Sequence, residues 1–223
     1  MNKRLICFDL DGTIIDSRLD VARSHQEAIA SVGGTPPPLE DLFGLIGLSL
    51  EETYAQVLPV SLHPRIDEAA QRYKAYYFDH CHQHTATFPG VEAGLSRLRK
   101  AGFLLAIATT KRTFMAHRVL DLLGLTAAFH HVQGTDDFPH KPCPDIIHAC
   151  CGALGMDPAH LHPDRDWMVG DTQRDILTGH NAGMGSVAVL YGYGSAASLA
   201  EVEPTLMVKD FPTLVEEIMA WKR

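Results

Sequence analysis

Short apolar runs alternate with longer stretches of helical periodicity along most of this chain. Runs such as Leu5-Ile6-Cys7-Phe8 and Leu104-Leu105-Ala106-Ile107-Ala108 are typical of strands buried on both faces. The pattern predicts strands at residues 5–8, 103–109, 130–133, 166–170, 185–190 and 206–208. It predicts helices at residues 91–101, 112–123, 144–154, 172–183 and 211–221. This alternation predicts an α/β fold with a doubly wound, Rossmann-like parallel sheet.

A long, mostly helical stretch interrupts the alternation after the first strand. Residues 17–32 predict a helix that is closed by Gly33-Gly34, and its apolar stripe consists of Val21, Ala22, Ala28, Ile29 and Val32. Thr35-Pro36-Pro37-Pro38 then breaks the chain, and shorter helices are predicted at residues 39–43, 49–58 and 64–80. We therefore predict a core of residues 1–15 and 86–223 with an inserted helical domain at residues 16–85.

Two carboxylates directly follow the first predicted strand, in Asp9-Leu10-Asp11-Gly12-Thr13. Because strand side chains alternate between faces, Asp9 and Asp11 are expected to project together from the end of the strand. Gly12 permits a sharp turn that leaves both acids in a crevice. One acid could act as a nucleophile and the other as a proton donor. An ordinary turn, or a fragment of a calcium loop, would explain the same five residues.

Three later segments place further polar groups after apolar runs. Thr109 and Thr110 follow a predicted strand where a helix is expected to begin, which suits an anion. Lys141 lies in a loop stiffened by two prolines and could bind phosphate as a point charge. Asp171 ends another strand run, with Asp175 one helical turn further on. Taken singly, these residues could be a helix cap, a solvated lysine and a polar helix start. Together, they predict a ligand site at the carboxyl edge of the sheet.

These segments resemble, in order, the four motifs of the haloacid dehalogenase-like hydrolase superfamily. The resemblance covers essentially the whole chain. Within that superfamily, the chain is similar to the phosphoglycolate phosphatase-like branch in Ile14-Ile15-Asp16-Ser17, Asn181-Ala182-Gly183 and Tyr191-Gly192-Tyr193-Gly194. The resemblance implies that the insertion at residues 16–85 is a helical cap that sits over the active site and closes on substrate.

The resemblance also implies a reaction and its catalytic residues. Asp9 would attack phosphorus and form a phosphoaspartyl intermediate, while Asp11 would protonate the leaving oxygen and then activate water. Mg²⁺ would be bound by the carboxylates of Asp9 and Asp171 and by the backbone carbonyl of Asp11. Asp175 would support that site by orienting metal-bound water and Lys141.

Substrate binding is implied at two places in the chain. In the core, the phosphoryl group would be held by Asp9, Asp11, Gly12, Thr109, Thr110 and Lys141. In the cap, Ile46 and Gly47 belong to the loop Gly44-Leu45-Ile46-Gly47-Leu48-Ser49, whose apolar side chains would exclude water. This loop contains no basic residue, which separates the chain from the similar hexose-phosphate mutases and favours a small leaving group.

We therefore expect a Mg²⁺-dependent phosphoric monoester hydrolase with 2-phosphoglycolate as the leading substrate. A nucleoside monophosphate, a sugar phosphate or pyrophosphate is the alternative within enzymes. A phospho-acceptor regulatory module is the alternative from another class, because two-component receivers also place an Asp, a Thr and a Lys around Mg²⁺. Asp11 and the inserted domain favour the hydrolase, since a receiver needs neither a second carboxylate aimed at water nor a lid.

Charge and composition limit which binding partners and which cellular location are expected. With 19 Lys and Arg against 27 Asp and Glu, the net charge is −8 and no basic run is present, so a duplex nucleic-acid partner is not expected. No apolar stretch approaches the ~20 residues of a membrane span, and we expect a cytoplasmic monomer or homodimer.

The five cysteines form no C-x-x-C pair, which favours reduced thiols. The cluster His80-Cys81-His82-Gln83-His84 could bind zinc, although a solvated helix end is the simpler interpretation.

Overall fold

The computed structural model describes residues 4–221. Its eight strands are β1 (Arg4–Phe8), β2 (Ile15–Asp16), β3 (Ala86–Thr87), β4 (Phe103–Thr109), β5 (His131–Gly134), β6 (Trp167–Gly170), β7 (Gly185–Val189) and β8 (Leu206–Val208). The helices up to the return to the sheet are α1 (Arg18–Ser31), α2 (Leu39–Phe43), α3 (Leu50–Val57) and α4 (Ile66–His80). Those that follow are α5 (Val91–Lys100), α6 (Thr113–Leu122), α7 (Asp145–Ala153), α8 (Gln173–Asn181), α9 (Ala196–Ala200) and α10 (Phe211–Ala220).

Six strands form one parallel sheet in the order β5-β4-β1-β6-β7-β8. β1 lies in the middle of the sheet, and Phe8 at its end is in register with Ile107 of β4 and Val169 of β6. Because the strands are parallel, their carboxyl ends meet at one edge of the sheet. The predicted α/β, doubly wound fold is confirmed.

The chain divides into two compact units, one made of residues 4–16 and 87–221 and the other of residues 17–86. The second unit differs from the predicted insertion by one residue at each end. Residues 1–3 and 222–223 of the predicted core lie outside the described residues. Within the described part of the chain, no helix combines the length and the apolarity needed to cross a bilayer.

The core of the first unit packs apolar strand residues against helices on the sheet. One buried cluster joins Leu5 and Cys7 of β1 to Cys150 and Cys151 of α7 and Met168 of β6. The five cysteines, all within the described residues, form no disulfide bond with one another. In the three central strands β1, β4 and β6, the residues between the strand ends are apolar, so polar side chains are found at the ends.

The second unit has a core of its own, built on the predicted stripe of α1. Ala22, Ala28 and Ile29 of α1 are buried together with Val32, which follows that helix. They belong to one cluster with side chains in or next to the other helices, namely Leu42, Tyr54, Leu58 and Ala69. Asp20 anchors the start of α1, because its carboxylate accepts hydrogen bonds from the backbone N–H groups of His84 (2.9 Å) and Thr85 (3.0 Å). The Thr85 hydroxyl and the His84 ring Nδ1 also lie 2.8 Å from that carboxylate.

Candidate active site

The loop after β1 positions Asp9 and Asp11 at the carboxyl edge of the sheet. The Asp9 N–H donates to the carbonyl of Val169 on the neighbouring strand (2.9 Å), which extends the sheet pairing by one residue. Gly12 has a φ of +87°. A Cβ at this glycine would lie 2.2 Å from Asp171 Oδ2. The chain therefore needs glycine here, both for its left-handed backbone and for its close approach to Asp171.

Asp171 directly follows β6, and Asp175 lies in the first turn of α8. The Asp175 carboxylate accepts hydrogen bonds through Oδ2 from the Thr172 N–H (3.0 Å) and from the Thr172 hydroxyl (2.7 Å), at the start of the helix. Asp171 is fully buried. Its Oδ2 accepts from the Tyr193 N–H (2.7 Å) and its Oδ1 from the Thr13 hydroxyl (3.3 Å). Both carboxylates are thus held in place by fixed donors.

Lys141 bridges Asp9, which follows β1, and Asp175, which lies in α8. Its side chain is buried, and its Nζ donates to Asp9 Oδ1 and to Asp175 Oδ1, both at 2.7 Å. Charge-assisted hydrogen bonds of this kind are strong when water is excluded. Lys141 therefore holds the Asp9 carboxylate in a fixed orientation while keeping it paired with a positive charge.

Burial controls the titration of these groups. Loss of solvation raises the pKa of Asp9 from 3.8 to about 7, with Lys141 opposing the rise and Asp175 and Asp11 adding to it. Burial also raises the pKa of Asp171, with repulsion from Asp175 and Asp9 as the next causes. Although burial lowers the pKa of Lys141, attraction to Asp175 and Asp9 outweighs it and the pKa rises. The site is thus a buried concentration of negative charge that favours a bound cation.

The acidic groups fit a hard divalent cation. Carboxylate oxygens of Asp9, Asp171 and Asp175 all lie within 4.8 Å of one another. Oxygen ligands of this type suit Mg²⁺ and similar ions. Four aspartates (Asp9, Asp11, Asp171 and Asp175) and two lysines (Lys111 and Lys141) leave a formal charge of −2, which a divalent cation would balance.

The end of β4 supplies the threonine predicted from the sequence. Thr109 is buried, and its hydroxyl oxygen accepts from the N–H of Lys111 (3.3 Å). Lys111 Nζ lies 3.1 Å from Asp11 Oδ2 in an ion pair. Thr109 is the last residue of β4, and Thr110 lies in the loop before α6, which begins at Thr113. Their contribution to anion binding therefore depends on the loop.

The chain is similar to known proteins along most of its length. The sequence model of the haloacid dehalogenase-like hydrolases matches residues 6–189, which include all the site residues of the core. The chain belongs to the haloacid dehalogenase-like hydrolase family. It is 31% identical to a phosphoglycolate phosphatase of Psychrobacter arcticus over 98% of this chain and 97% of that protein. It is 32% identical to a phosphoglycolate phosphatase of Vibrio cholerae, with 97% of each chain covered.

A solved structure agrees with this assignment. The structure of a haloacid dehalogenase-like hydrolase from Streptococcus pneumoniae matches with a TM-score of 0.84 and 26% identity, over 96% of this chain and 97% of that one. The family and these relatives make the protein a phosphoric monoester hydrolase of the phosphoglycolate phosphatase-like branch. The predictions of superfamily, branch and enzyme class are thereby confirmed.

This haloacid dehalogenase-like hydrolase brings together most of the predicted site residues. Six of them lie at the carboxyl ends of the strands or in the loops that follow, namely Asp9, Asp11, Gly12, Thr109, Lys141 and Asp171. Asp175 lies in the first turn of α8. Asp175 was predicted to support the metal site, and its oxygens already accept bonds from Lys141 and Thr172. Ile46 and Gly47 belong to the second unit, and their part in substrate binding stays a prediction.

The loop Tyr191-Gly192-Tyr193-Gly194 packs against Asp171, a contact that the sequence did not predict. A Cβ at Gly192 would lie 2.2 Å from Asp171 Cβ, and one at Gly194 would lie 2.0 Å from the Asp171 carbonyl oxygen. The Tyr191 hydroxyl donates to the carbonyl of Thr13 (2.9 Å). The two glycines let this loop pack directly on Asp171, and their alternation with tyrosine was the signal available in the sequence.

In the histidine cluster, each described contact is local to the second unit. The ring Nδ1 of His84 faces Asp20 (2.8 Å), and its Nε2 lies 3.2 Å from Arg23. The ring of His80 stacks on Tyr76 at a centroid distance of 3.9 Å. Cys81 is buried. These contacts give the cluster a structural explanation.

Proposed function

We propose that the protein is a Mg²⁺-dependent phosphatase that hydrolyses a small phosphate monoester through a phosphoaspartyl intermediate, with 2-phosphoglycolate as the leading substrate. The observation that supports it best is the buried Asp9 carboxylate, which Lys141 orients at 2.7 Å beside a cluster of acidic oxygens. The substrate proposal draws on the relatives, which are named phosphoglycolate phosphatases. A nucleoside monophosphate, a sugar phosphate and pyrophosphate remain as competing substrates for the same site.

The first step would be attack by a carboxylate oxygen of Asp9 on phosphorus. A P–O bond forms to Asp9, the P–O bond to the leaving group breaks, and Asp11 gives its proton to the leaving oxygen. In the second step Asp11 would take a proton from water as the water oxygen bonds to phosphorus. The P–O bond to Asp9 then breaks, which restores the Asp9 carboxylate and releases inorganic phosphate. Dividing the hydrolysis in this way replaces one difficult displacement by two easier ones.

Lys141 would reduce the repulsion between the anionic nucleophile and the anionic substrate. In a site screened from water, such a positive charge contributes more than it would on the surface. The Thr109 hydroxyl and the Thr110 amide would hold the phosphoryl oxygens. Gly12 would let the backbone approach the same group closely.

The residues that would hold Mg²⁺ are Asp9 and Asp171, through their carboxylates, and Asp11, through its backbone carbonyl. When bound, the ion would offset negative charge on the phosphoryl group. Asp175 would orient Lys141, since both of its oxygens are already engaged. We also propose that residues 17–86 form the substrate-selecting cap, with Ile46 and Gly47 among the residues that select the ester.

The proposal is tested by a phosphatase screen of 2-phosphoglycolate, nucleoside monophosphates, sugar phosphates and pyrophosphate, with and without EDTA. We expect the highest kcat/KM for 2-phosphoglycolate and loss of turnover in excess chelator. Asp9→Asn should abolish turnover and any hydroxylamine-sensitive phosphoenzyme. Asp79→Asn makes the same substitution at an exposed aspartate and should change neither.

Each part of the proposal can fail separately. If Asp9→Asn retained most of the rate, the covalent mechanism would be wrong. Full turnover in EDTA would exclude the metal requirement. A sugar phosphate or nucleotide with the higher kcat/KM would replace 2-phosphoglycolate as the substrate while leaving the chemistry intact.

A further inference from the structure

Lys111 forms an ion pair with Asp11, and the mechanism proposed above gives this lysine no role. Its Nζ lies 3.1 Å from Asp11 Oδ2, and the two side chains are only 10% and 12% exposed. An ion pair this well shielded is screened little by salt and holds its partners in a defined geometry. Lys111 is therefore placed to control the orientation of the Asp11 carboxyl group.

The backbone of Lys111 is held from both sides. Its N–H donates to the Thr109 hydroxyl oxygen (3.3 Å), and its carbonyl accepts from the Thr135 N–H (3.1 Å). Gly134, the last residue of β5, packs against it so closely that a Cβ there would lie 2.2 Å from the Lys111 carbonyl oxygen. The origin of the Lys111 side chain is thus fixed by two strand ends, which makes its contact with Asp11 directional.

The two lysines of the site, Lys141 buried and Lys111 partly buried, are divided between the aspartates. Lys141 contacts Asp9 and Asp175, whereas Lys111 contacts Asp11. Neither lysine can replace the other, because they reach the acidic cluster from different loops of the sheet edge. Each of the two aspartates with a chemical role is therefore paired with a lysine of its own.

We propose that Lys111 is a positioning residue for proton transfer by Asp11. This inference rests on the proposed function. Holding Oδ2 restricts the orientation of the carboxyl group, so that Asp11 presents its proton to the leaving oxygen. As Asp9 forms its bond to phosphorus, the electron pair of the breaking P–O bond goes to the leaving oxygen, which takes the proton from Asp11. Misplacing this group by about 1 Å can cost about 10²-fold in rate.

The dependence of rate on the leaving group separates positioning from a general structural effect. A p-nitrophenolate ion leaves without help, whereas an alkoxide needs a proton in the transition state. The experiment measures kcat/KM for p-nitrophenyl, phenyl and alkyl phosphates with the wild type, Lys111→Met, Lys111→Gln and Lys111→Arg. Because kcat/KM reports the steps up to release of the alcohol, the later hydrolysis of the phosphoenzyme does not enter it.

We expect Lys111→Met and Lys111→Gln to lose ~10²-fold in kcat/KM for the alkyl phosphate and much less for p-nitrophenyl phosphate. Lys111→Arg keeps the positive charge and should recover most of the alkyl rate. Lys100→Met, which removes an exposed lysine at the end of α5, should leave both rates unchanged.

Two results would overturn the inference. A parallel loss for all esters with a raised KM would show that Lys111 binds the phosphoryl group and does not act through Asp11. Unchanged rates in Lys111→Met would show that the ion pair has no kinetic role. If the wild type hydrolysed none of the esters, the proposed function itself would be wrong. Circular dichroism of each variant identifies any that has not folded, and Lys111→Gln offers a second neutral side chain.

Discussion

Asp9 is the residue at which the requirements of folding and of chemistry conflict most. Its carboxylate is buried next to Asp175 and Asp11, so folding transfers a charge out of water into a site that already holds negative charge. Lys141 compensates for part of this cost through its hydrogen bond. A neutral side chain at this position would avoid the cost of burying a charge. Comparing Asp9 with a neutral variant therefore measures how much this charge lowers the free energy of unfolding.

We predict that Asp9 makes metal-free protein less stable as the pH rises. Because the folded-state pKa is about 7 and an unfolded aspartate titrates near 3.8, the folded state holds the extra proton between these values. The free energy of unfolding should fall from about pH 4 to about pH 7, by at most ~4 kcal/mol, and stay constant above. Asp9→Asn should remove this fall.

The measurement is urea unfolding in EDTA at several pH values, for the wild type and for Asp9→Asn. Groups remote from the site are common to both proteins and cancel in the difference, which therefore reports Asp9 together with its effect on the pKa values of Asp171 and Lys141. Asp79→Asn serves as the control, because its exposed carboxylate should give a curve parallel to the wild type. Parallel curves for Asp9→Asn as well would show that the carboxylate is not destabilised by burial.

Among the secondary-structure elements, the start of α8 combines a structural and a functional contact. Asp175 accepts from Thr172 through one carboxylate oxygen and from Lys141 through the other. Asp and Thr are common in the first turn of helices because they satisfy backbone N–H groups there. In this helix, the same carboxylate also fixes the lysine that orients Asp9.

We predict that Thr172→Ala lowers both stability and rate, whereas a helix cap elsewhere affects stability alone. Removing the Thr172 hydroxyl should cost about 1 kcal/mol and loosen Asp175, so that kcat falls. Asp210→Ala removes the cap of α10, whose Thr213 N–H bond is 2.7 Å long, and should cost a similar amount without changing kcat. Urea unfolding and steady-state kinetics of the two variants test this. Equal effects on kcat would mean that the Asp175 contact is structural.

The elements themselves could largely be predicted from the sequence, because hydrophobic periodicity reports which faces are buried. The predicted strand at residues 103–109 coincides with β4, and the predicted helix at residues 39–43 coincides with α2. The short helix α9 (Ala196–Ala200) was missed, since five residues carry too little periodicity. The two-residue strands β2 and β3 were missed for the same reason.

The contacts within the site were harder to predict than the elements that carry it. The sequence indicated which strand ends would meet, because parallel strands share one edge. It could not show that Lys111 pairs with Asp11, or that Gly192 packs against Asp171, since these contacts depend on loop paths and on residues far apart in the chain. Periodicity describes burial, whereas a side-chain contact depends on the conformation of both loops.

At the scale of the whole molecule, the net charge of −8 and the acidic site both favour cations. These two effects have different origins. Screening of the surface charge requires only ionic strength, whereas binding at Asp9 and Asp171 would require a divalent ion in one place. The two units also have separate cores, so calorimetry can show whether they unfold in one transition or in two.

We predict that Mg²⁺ raises the Tm of the transition that contains the first unit, beyond the effect of Na⁺ at equal ionic strength. An ion that binds only the folded state stabilises it by about 2.7 kcal/mol at 100 times its Kd. Because burial raises the pKa of Asp9 to about 7 in the absence of metal, protons compete with the ion at lower pH. The shift should therefore be larger near pH 8 than near pH 5.

Asp171→Asn removes one carboxylate of the cluster and should abolish the difference between Mg²⁺ and Na⁺, whereas Asp79→Asn should preserve it. An Asp171→Asn protein that responds to Mg²⁺ like the wild type would place the stabilising ion elsewhere in the molecule.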